Sequence, residues 1–388
     1  MKRESFGSRL GFILVSAGCA IGIGNVWKFP YICGAYGGAA FILIYLCFLV
    51  ILGIPVLVAE FAVGRGSHTS VAKCFDKLAP AGNCWKPLKF IGIIGCYMLM
   101  MFYTTVGGWM IYYCVKSLRG DFVGATPEAV TQSFSDMLGN APTMMLWMVI
   151  ICLIGFAVCF MGLQNGIEKI SKVMMSALLI IMVILAVHSV MMEGAGEGIR
   201  FYLIPDFQKI KEAGVGNVVF AALSQSFFTL SIGIGAMLIF GSYLDHSRSV
   251  TGEAINITIL DTFVALTAGF IIIPACFAYG IEPGAGPSLV FITLPNIFAQ
   301  MPGGFLWSAL FFLFLTFAAL STIIAVFENI IAFDMDLFGW TRKKSVLVSA
   351  VLVMILSMPA VLGFNVLSFL QPLGEGSTIM DLEDFIVS

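Results

Sequence analysis

The stretch Gly18-Cys-Ala-Ile-Gly-Ile-Gly-Asn-Val-Trp-Lys-Phe-Pro30 lies within an apolar run that is long enough to cross a bilayer. Its closely spaced glycines weaken a helix, because each mid-helix glycine costs about 1 kcal/mol relative to alanine. Unpaired backbone groups are costly in hydrocarbon, so an interruption at this depth is stable only where it lines a polar cavity or binds a ligand. The stretch therefore predicts a broken transmembrane helix with a binding site at the break.

A second break is predicted in the other half of the chain, where Ser231-Ile-Gly-Ile-Gly235 repeats the pattern of Ala20-Ile-Gly-Ile-Gly24. Paired interrupted helices at corresponding positions are typical of a transporter's midplane site. The exposed N–H groups of one half-helix attract a carboxylate, and the freed carbonyls of another coordinate a cation. The alternative is that the glycines only allow close helix packing. Polar residues beside both breaks favour binding, and a zwitterion with Na⁺ would satisfy both half-helices.

The whole chain has the composition of a membrane protein, with 60% hydrophobic and 11% charged residues and a mean hydropathy of +1.01. We therefore predict an all-α polytopic membrane protein. The nine predicted spans cover residues 10–35, 39–64, 88–118, 143–162, 168–192, 216–242, 251–280, 303–333 and 345–364.

Basic residues gather after every second span and before the first, which places the N-terminus in the cytoplasm by the positive-inside rule. We therefore expect a multi-pass protein of the cell (inner or plasma) membrane, in contact with the lipid bilayer. Three longer connections, residues 119–142, 193–215 and 281–302, would lie outside, and the last would form a partial lid with a short helix at 292–300.

Composition and motifs exclude several other classes of protein. Eight of the ten cysteines lie in apolar runs, and we assign no disulfide. The only basic tract is the short segment 342–344, so no nucleic-acid partner is expected. The three histidines are scattered and no hydrolase motif is present, which argues against an enzyme or an organic cofactor. An ion channel and a substrate-sensing membrane receptor stay open as alternatives, as does the oligomeric state.

Glu60 and Asp261 lie well inside apolar sequence, where an ionised carboxylate needs a partner or a cation. We expect Glu60 to have a structural role, bracing the break in span 1 by accepting its N–H groups. Asp261 is expected to be a cation ligand. Glu328 lies near the cytoplasmic end of span 8, which favours a gate or interfacial role.

Four motifs resemble the neurotransmitter:sodium symporters: residues 22–30 (GIGNVWKFP), 37–41 (GGAAF), 53–60 (GIPVLVAE) and 227–231 (FFTLS). The resemblance implies a sodium-coupled symporter of small, hydrophobic L-amino acids that works by alternating access. It also implies the leucine-transporter-type fold, an inverted five-helix repeat with discontinuous helices 1 and 6. Residues 1–192 would form the first repeat and residues 193–388 the second, with helices 6–9, the start of a tenth and the lid at 281–302. The second repeat is then expected to be incomplete.

The resemblance also implies two sodium sites built from oxygen ligands. The first would use the Ala20 carbonyl, Asn25, Thr229 and Asp261 together with the substrate carboxylate. The second would use the Gly18, Ile21 and Ala318 carbonyls with Ser321 and Thr322.

For the substrate, the resemblance implies that the carboxylate meets the Ile23 and Gly24 amides and the Tyr103 hydroxyl, with Phe228 closing over it. The remaining substrate-binding positions would be Ala20, Leu99, Thr229, Ser231, Ile234, Thr322 and Val326. A cytoplasmic gate would pair Arg3 with Asp336 beside Tyr243, and Lys28 would stand at the outer gate without the acidic partner that relatives have.

Two departures from the family pattern carry expectations. Animal members use chloride through positions that match Tyr45, Gln225 and a serine where this chain has Ala265, and they have asparagine where it has Asp261. A fixed negative charge there would replace the anion, so we predict chloride-independent transport. Ser176 stands where many relatives have proline, which leaves open how the cytoplasmic end of span 5 unwinds.

Overall fold

The computed structural model describes residues 4–80, 82, 84–245, 247–280 and 287–387, and it is built from helices. The nine spans are these: span 1, Arg9–Ala20 with Gly24–Ala35; span 2, Ala39–Ser67; span 3, Leu88–Arg119; span 4, Ala141–Phe160; span 5, Leu163–Val190; span 6, Val215–Thr229 with Ala236–Ser242; span 7, Val250–Ala278; span 8, Gly304–Phe338; span 9, Arg342–Leu362. Each corresponds to a predicted span.

Seven of these spans are continuous helices of sufficient length and hydropathy to cross a membrane, counted over the described residues. Span 1 joins them if its two halves, bent by 56° at the break, count as one. Each half of span 6 is too short to cross a membrane by itself, so the crossing requires both halves. Span 8 runs to Phe338, beyond the predicted end at 333, so Glu328 lies deeper than expected.

The two breaks have different backbones. In span 1, Ile21 ends the first half in an extended conformation, and the second half restarts with a π-helical turn at Gly24–Lys28. In span 6 the chain leaves the helix after Thr229 and passes through positive φ angles at Ser231 (51°), Gly233 (95°) and Gly235 (78°). Glycine adopts such angles without strain, whereas serine does so at a cost. The glycines at 233 and 235 are thus what this turn requires.

Short helices connect the spans: Cys74–Leu78, Pro127–Gly139, Ala195–Leu203, Phe207–Ala213, Leu289–Gln300 and Ile379–Val387. The helix predicted at 292–300 is present but begins earlier, with a π-helical turn at Leu289–Thr293. Residues 281–286 of the predicted lid lie outside the described residues. All ten cysteines are free thiols in this structure.

Span 8 lies at the centre of the bundle, where every residue from Ala318 to Phe333 is buried. It packs against spans 1, 3, 4, 5 and 9. Exposed leucine, isoleucine, valine and phenylalanine side chains cover the outer faces of spans 2, 4, 5 and 9, as expected for helices that contact lipid. The central position of span 8 places its polar residues next to both breaks.

Span 2 and the second half of span 6 touch through glycines. A Cβ atom at Gly64 would lie 1.9 Å from the Leu238 carbonyl oxygen, and one at Gly241 would lie 2.6 Å from the Phe61 carbonyl oxygen. Neither backbone can yield without moving a whole helix, so the contact requires glycine. This packing fixes the half-helix that follows the span 6 break.

Gly64→Ala is therefore expected to destabilise the protein by about 1–3 kcal/mol or more through overpacking. Gly66→Ala on the same helix is the matched control, since a Cβ there meets Leu78 at 3.7 Å, an ordinary contact. The measurement is the midpoint of thermal unfolding in detergent for each variant. Equal midpoints for the two variants would contradict this account of the packing.

Candidate functional site

The two breaks face each other across a small cavity of about 80 Å³. Ser231 Oγ donates a hydrogen bond of 2.9 Å to the Cys19 carbonyl, which joins the broken segment of span 6 to the end of the first half of span 1. The residues that line the cavity include Ala20, Gly22, Gly24, Asn25, Leu99, Tyr103, Phe228, Ser231, Ile234 and Thr322. Most predicted substrate-binding residues are thus brought together.

A buried carboxylate lies beside this cavity. Asp261 of span 7 is fully buried, and its two oxygens accept hydrogen bonds of 2.8 Å from Asn25 Nδ2 and from Thr229 Oγ1. Within the described part of the chain, no basic side chain forms an ion pair with it. A buried carboxylate held only by neutral groups is poorly compensated, and a bound cation would supply the missing charge. Three of the predicted ligands of the first sodium site therefore meet.

Carbonyl oxygens converge on Thr322 of span 8. Its hydroxyl lies within 3.2–3.4 Å of the carbonyl oxygens of Gly18, Cys19, Ile21 and Ala318. Ser321 Oγ lies 3.0 Å from the Ala318 carbonyl. One hydroxyl has a single proton to donate, so it cannot satisfy four carbonyls at once. Such a cluster of oxygens is a set of ligands for a hard cation, and it unites the predicted members of the second sodium site.

Tyr103 of span 3 marks the predicted carboxylate position. Its hydroxyl accepts a hydrogen bond of 2.9 Å from the Ile23 N–H, one of the amides freed by the break. A Cβ at Gly22 would lie 2.3 Å from this hydroxyl, so the close approach requires glycine. The Phe228 ring lies against Gly24 in the same way. Val326, by contrast, is buried and lines neither this cavity nor the next one.

A second, larger cavity of about 260 Å³ lies next to the first and shares Gly24, Tyr103 and Phe228 with it. Lys28 and Asp384 both line this outer cavity, with 4.0 Å between Lys28 Nζ and Asp384 Oδ2. The Lys28 ammonium also lies 4.6 Å from the centre of the Phe228 ring. The prediction that Lys28 lacks an acidic partner is therefore wrong. The short helix Ile379–Val387 returns to the bundle and provides the carboxylate.

Glu60 braces a break, but not the predicted one. Its Oε1 accepts a 2.5 Å hydrogen bond from the Gly233 N–H, which belongs to span 6 and not to span 1. The reason is the glycine contact between span 2 and the second half of span 6, which brings Glu60 to the start of that half-helix. A carboxylate at a half-helix N-terminus also has a favourable interaction with the helix dipole.

The predicted cytoplasmic side is closed by a polar network around Glu328. This fully buried carboxylate accepts two hydrogen bonds from the Arg342 guanidinium, of 2.7 and 2.9 Å, and one of 2.7 Å from the Tyr243 hydroxyl. Arg342 also pairs with Glu4 at 3.3 Å. Tyr243, predicted to lie beside the Arg3–Asp336 gate, is thus bound to Glu328. Asp336 accepts a 2.7 Å hydrogen bond from the Ser70 N–H, and its predicted partner Arg3 lies outside the described residues.

Span 5 begins irregularly, which bears on the question raised by Ser176. Its first turn, Leu163–Glu168, is π-helical, and Ser176 lies well inside the regular helix that follows. Glu168 accepts hydrogen bonds from the Gly7 N–H at 2.7 Å and from Ser8 Oγ at 2.9 Å. The irregular turn is therefore bound to the segment that precedes span 1.

Arg342, Glu4 and Ser70 are contacts that the sequence analysis missed. A signal for the first was present, because an acidic residue deep in a span needs a cationic partner and Arg342 follows span 8 closely in the chain. Ser70 contributes only a backbone N–H, which no side-chain pattern reveals. Glu4 lies in a polar segment without periodicity and gives no signal of its own.

The chain is similar to known proteins along nearly its whole length. A model of the sodium:neurotransmitter symporter family matches residues 3–133 and 127–380. An uncharacterized sodium-dependent transporter of Bacillus subtilis is 35% identical, over 100% of this chain and 84% of its own length. An uncharacterized sodium-dependent transporter of Haemophilus influenzae is 32% identical, over 99% of this chain and 85% of its own length. The sodium-dependent serotonin transporter of Drosophila melanogaster is 28% identical, over 97% of this chain and 68% of its own length.

Among solved structures, the crystal structure of MhsT in complex with L-phenylalanine matches with a TM-score of 0.91. The two chains are 37% identical, and the match covers 100% of this chain and 86% of that one. The predicted all-helical transporter fold is thereby confirmed.

Proposed function

The chain belongs to the sodium:neurotransmitter symporter family and is a multi-pass, sodium-dependent transporter; from this premise we propose that it carries small, hydrophobic L-amino acids into the cell together with sodium. The family is one of transporters, so the chain is not an enzyme. We place it in the inner or plasma membrane with the N-terminus in the cytoplasm.

The observation that carries the proposal is the Asp261 carboxylate, buried beside the two breaks without a basic partner in the described chain. A sodium ion bound there would neutralise it and would at the same time attract the carboxylate of an amino acid in the adjacent cavity. Coupling then follows, because each of the two solutes improves the binding of the other. The carbonyl cluster around Thr322 supports a second sodium ion.

The lining of the inner cavity supports a hydrophobic amino acid. The Tyr103 hydroxyl and the break in span 1 offer polar groups on one side, and Leu99, Ile234 and the Phe228 ring offer apolar surface on another. Such a division suits a polar head group and an apolar side chain. The bound L-phenylalanine of the similar transporter is in keeping with this class of substrate.

Alternating access is the mechanism we propose. The Lys28–Asp384 pair and the Phe228 ring would close the outer side once sodium and substrate are bound. The contacts of Glu328 with Arg342 and Tyr243 would then open on the other side. The two breaks would belong to two inverted repeats, residues 1–192 and 193–388.

The function is tested by sodium-gradient-driven accumulation of labelled leucine, phenylalanine and alanine in proteoliposomes. We expect uptake that requires sodium and persists when external chloride is replaced by gluconate, because Asp261 provides a fixed negative charge and Ala265 replaces the serine of chloride users. Loss of uptake in gluconate would contradict chloride independence.

Current that continues without substrate would indicate a channel, and sodium-dependent binding without accumulation would indicate a receptor.

A further inference from the structure

The carbonyl of Ile234, in the span 6 break, is held by two side chains that the proposed mechanism does not use. Cys96 Sγ of span 3 donates to this oxygen at 3.3 Å, and Asn329 Nδ2 of span 8 donates to it at 3.4 Å. Asn329 Nδ2 also lies 3.1 Å from Cys96 Sγ. Both side chains are buried, so the three groups form one contact between spans 3, 6 and 8.

The orientation of the backbone at Ile234 depends on the hydrogen bonds that its neighbouring side chains make with it. Gly233 and Gly235 flank it with φ angles of 95° and 78°, and glycine restricts the peptide planes beside it less than any other residue. On one side Glu60 fixes the Gly233 N–H. On the other side, Cys96 and Asn329 fix the Ile234 carbonyl. Without these two donors, no side-chain hydrogen bond among the described residues holds the Ile234 carbonyl.

Asn329 is a buried amide whose hydrogen bonding is incomplete. It is 1% exposed, and its Oδ1 has no hydrogen-bond partner in the described structure. A half-satisfied buried amide is unfavourable, whereas leucine would fill a similar volume without that cost. The hydrogen bonds that the Asn329 amide gives to Ile234 and Cys96 account for its presence.

The Ile234 side chain forms part of the wall of the inner cavity, together with Leu99. It is seated against span 3, where a Cβ at Gly95 would come within 3.2 Å of Ile234 Cγ2. Holding the carbonyl therefore also fixes how far this side chain projects into the space that a substrate side chain would occupy.

We propose that Asn329, assisted by Cys96, is a positioning residue that sets the size of amino-acid side chain that the site accepts. The inference rests on the proposed function and adds to it a determinant of substrate selection. With the Ile234 carbonyl released, the wall can move outward, and large side chains gain affinity relative to small ones. A purely structural role would change the affinity for all substrates alike.

The test is competition of alanine, leucine, phenylalanine and tryptophan against a labelled substrate on the purified protein at saturating sodium. For Asn329→Leu we expect the tryptophan-to-alanine affinity ratio to rise at least fivefold. Cys96→Ala should raise it by a smaller factor. Cys96→Ser keeps a hydroxyl donor and should retain the wild-type ratio. Ser357→Ala is the control and should also leave the ratio unchanged. It removes the oxygen that accepts a hydrogen bond from the Thr104 hydroxyl, elsewhere on span 3.

An unchanged ratio in both Asn329→Leu and Cys96→Ala, or a uniform change for all four amino acids, would overturn the inference. If Asn329→Leu does not fold, Cys96→Ala decides, because it removes only one sulfur atom. These outcomes differ from failure of the proposed function, which would show as no sodium-dependent binding in the wild-type protein and would overturn both.

Discussion

Asp261→Asn is expected to raise the sodium concentration for half-maximal substrate binding at least tenfold, equivalent to about 1.4 kcal/mol of lost cation binding. The substitution preserves the shape of the side chain. An amide can still accept from Asn25 and can donate to the Thr229 hydroxyl, which now acts as acceptor, so both contacts of the carboxylate survive. What is lost is the charge, and the titration therefore reports the interaction between that charge and sodium.

The stability of the variant distinguishes loss of a ligand from misfolding. In sodium-free buffer, Asp261→Asn should unfold at the wild-type temperature or above it, because a buried carboxylate without a cation is itself unfavourable. Sodium should stabilise the wild-type protein more than the variant, since a ligand stabilises the state that binds it. Both effects are measured by thermal unfolding in detergent at matched ionic strength, with choline replacing sodium.

Thr258→Val is the matched control, one turn earlier on span 7. Its hydroxyl is buried and, within the described part of the chain, donates to the Ala254 carbonyl of the same helix and to no other group. A shifted sodium titration in this control would mean that the effect is not specific to Asp261. An unshifted one in Asp261→Asn would show that the charge of Asp261 does not contribute to sodium binding.

The breaks could be predicted from sequence because glycine destabilises a helix, whereas hydrocarbon requires the backbone to be helical. Gly22 and Gly24 weaken a helix where lipid requires one, and only a binding site resolves this conflict. The same argument identified Asp261, since an acidic residue deep in an apolar run needs compensation. Both inferences use local composition alone, and for that reason they did not depend on how the helices are arranged.

Partners across the bundle could not be predicted in the same way. Glu60 was assigned to span 1 because its need for N–H groups was clear, but which break supplies them depends on the glycine contact at Gly64 and Leu238. Asp384 was missed because its helix lies far along the chain from Lys28. Asn329 gave no signal at all, because one asparagine in an apolar helix is typical of a local hydrogen bond.

Arg342→Met is expected to be the most destabilising of the single substitutions proposed, costing about 3–5 kcal/mol, the range seen when a buried ion pair loses one partner. The reason is that Glu328 is fully buried and, among the described residues, would keep the Tyr243 hydroxyl as its one remaining donor. Lys343→Met, at the neighbouring exposed position, is the control and should change the unfolding midpoint little. A wild-type midpoint for Arg342→Met would show that the pair does not stabilise this side of the protein.

The double variant Glu328→Met with Arg342→Met separates stability from gating. Two apolar side chains of similar volume remove the desolvation cost of both charges, so the unfolding midpoint should recover to near the wild-type value. Transport should not recover. In the proposed cycle this contact opens to water on every turnover, and hydration compensates separated charges but not two exposed methionines. Recovery of both stability and sodium-driven uptake would assign Glu328 and Arg342 to the structure of the bundle and would place the gate elsewhere.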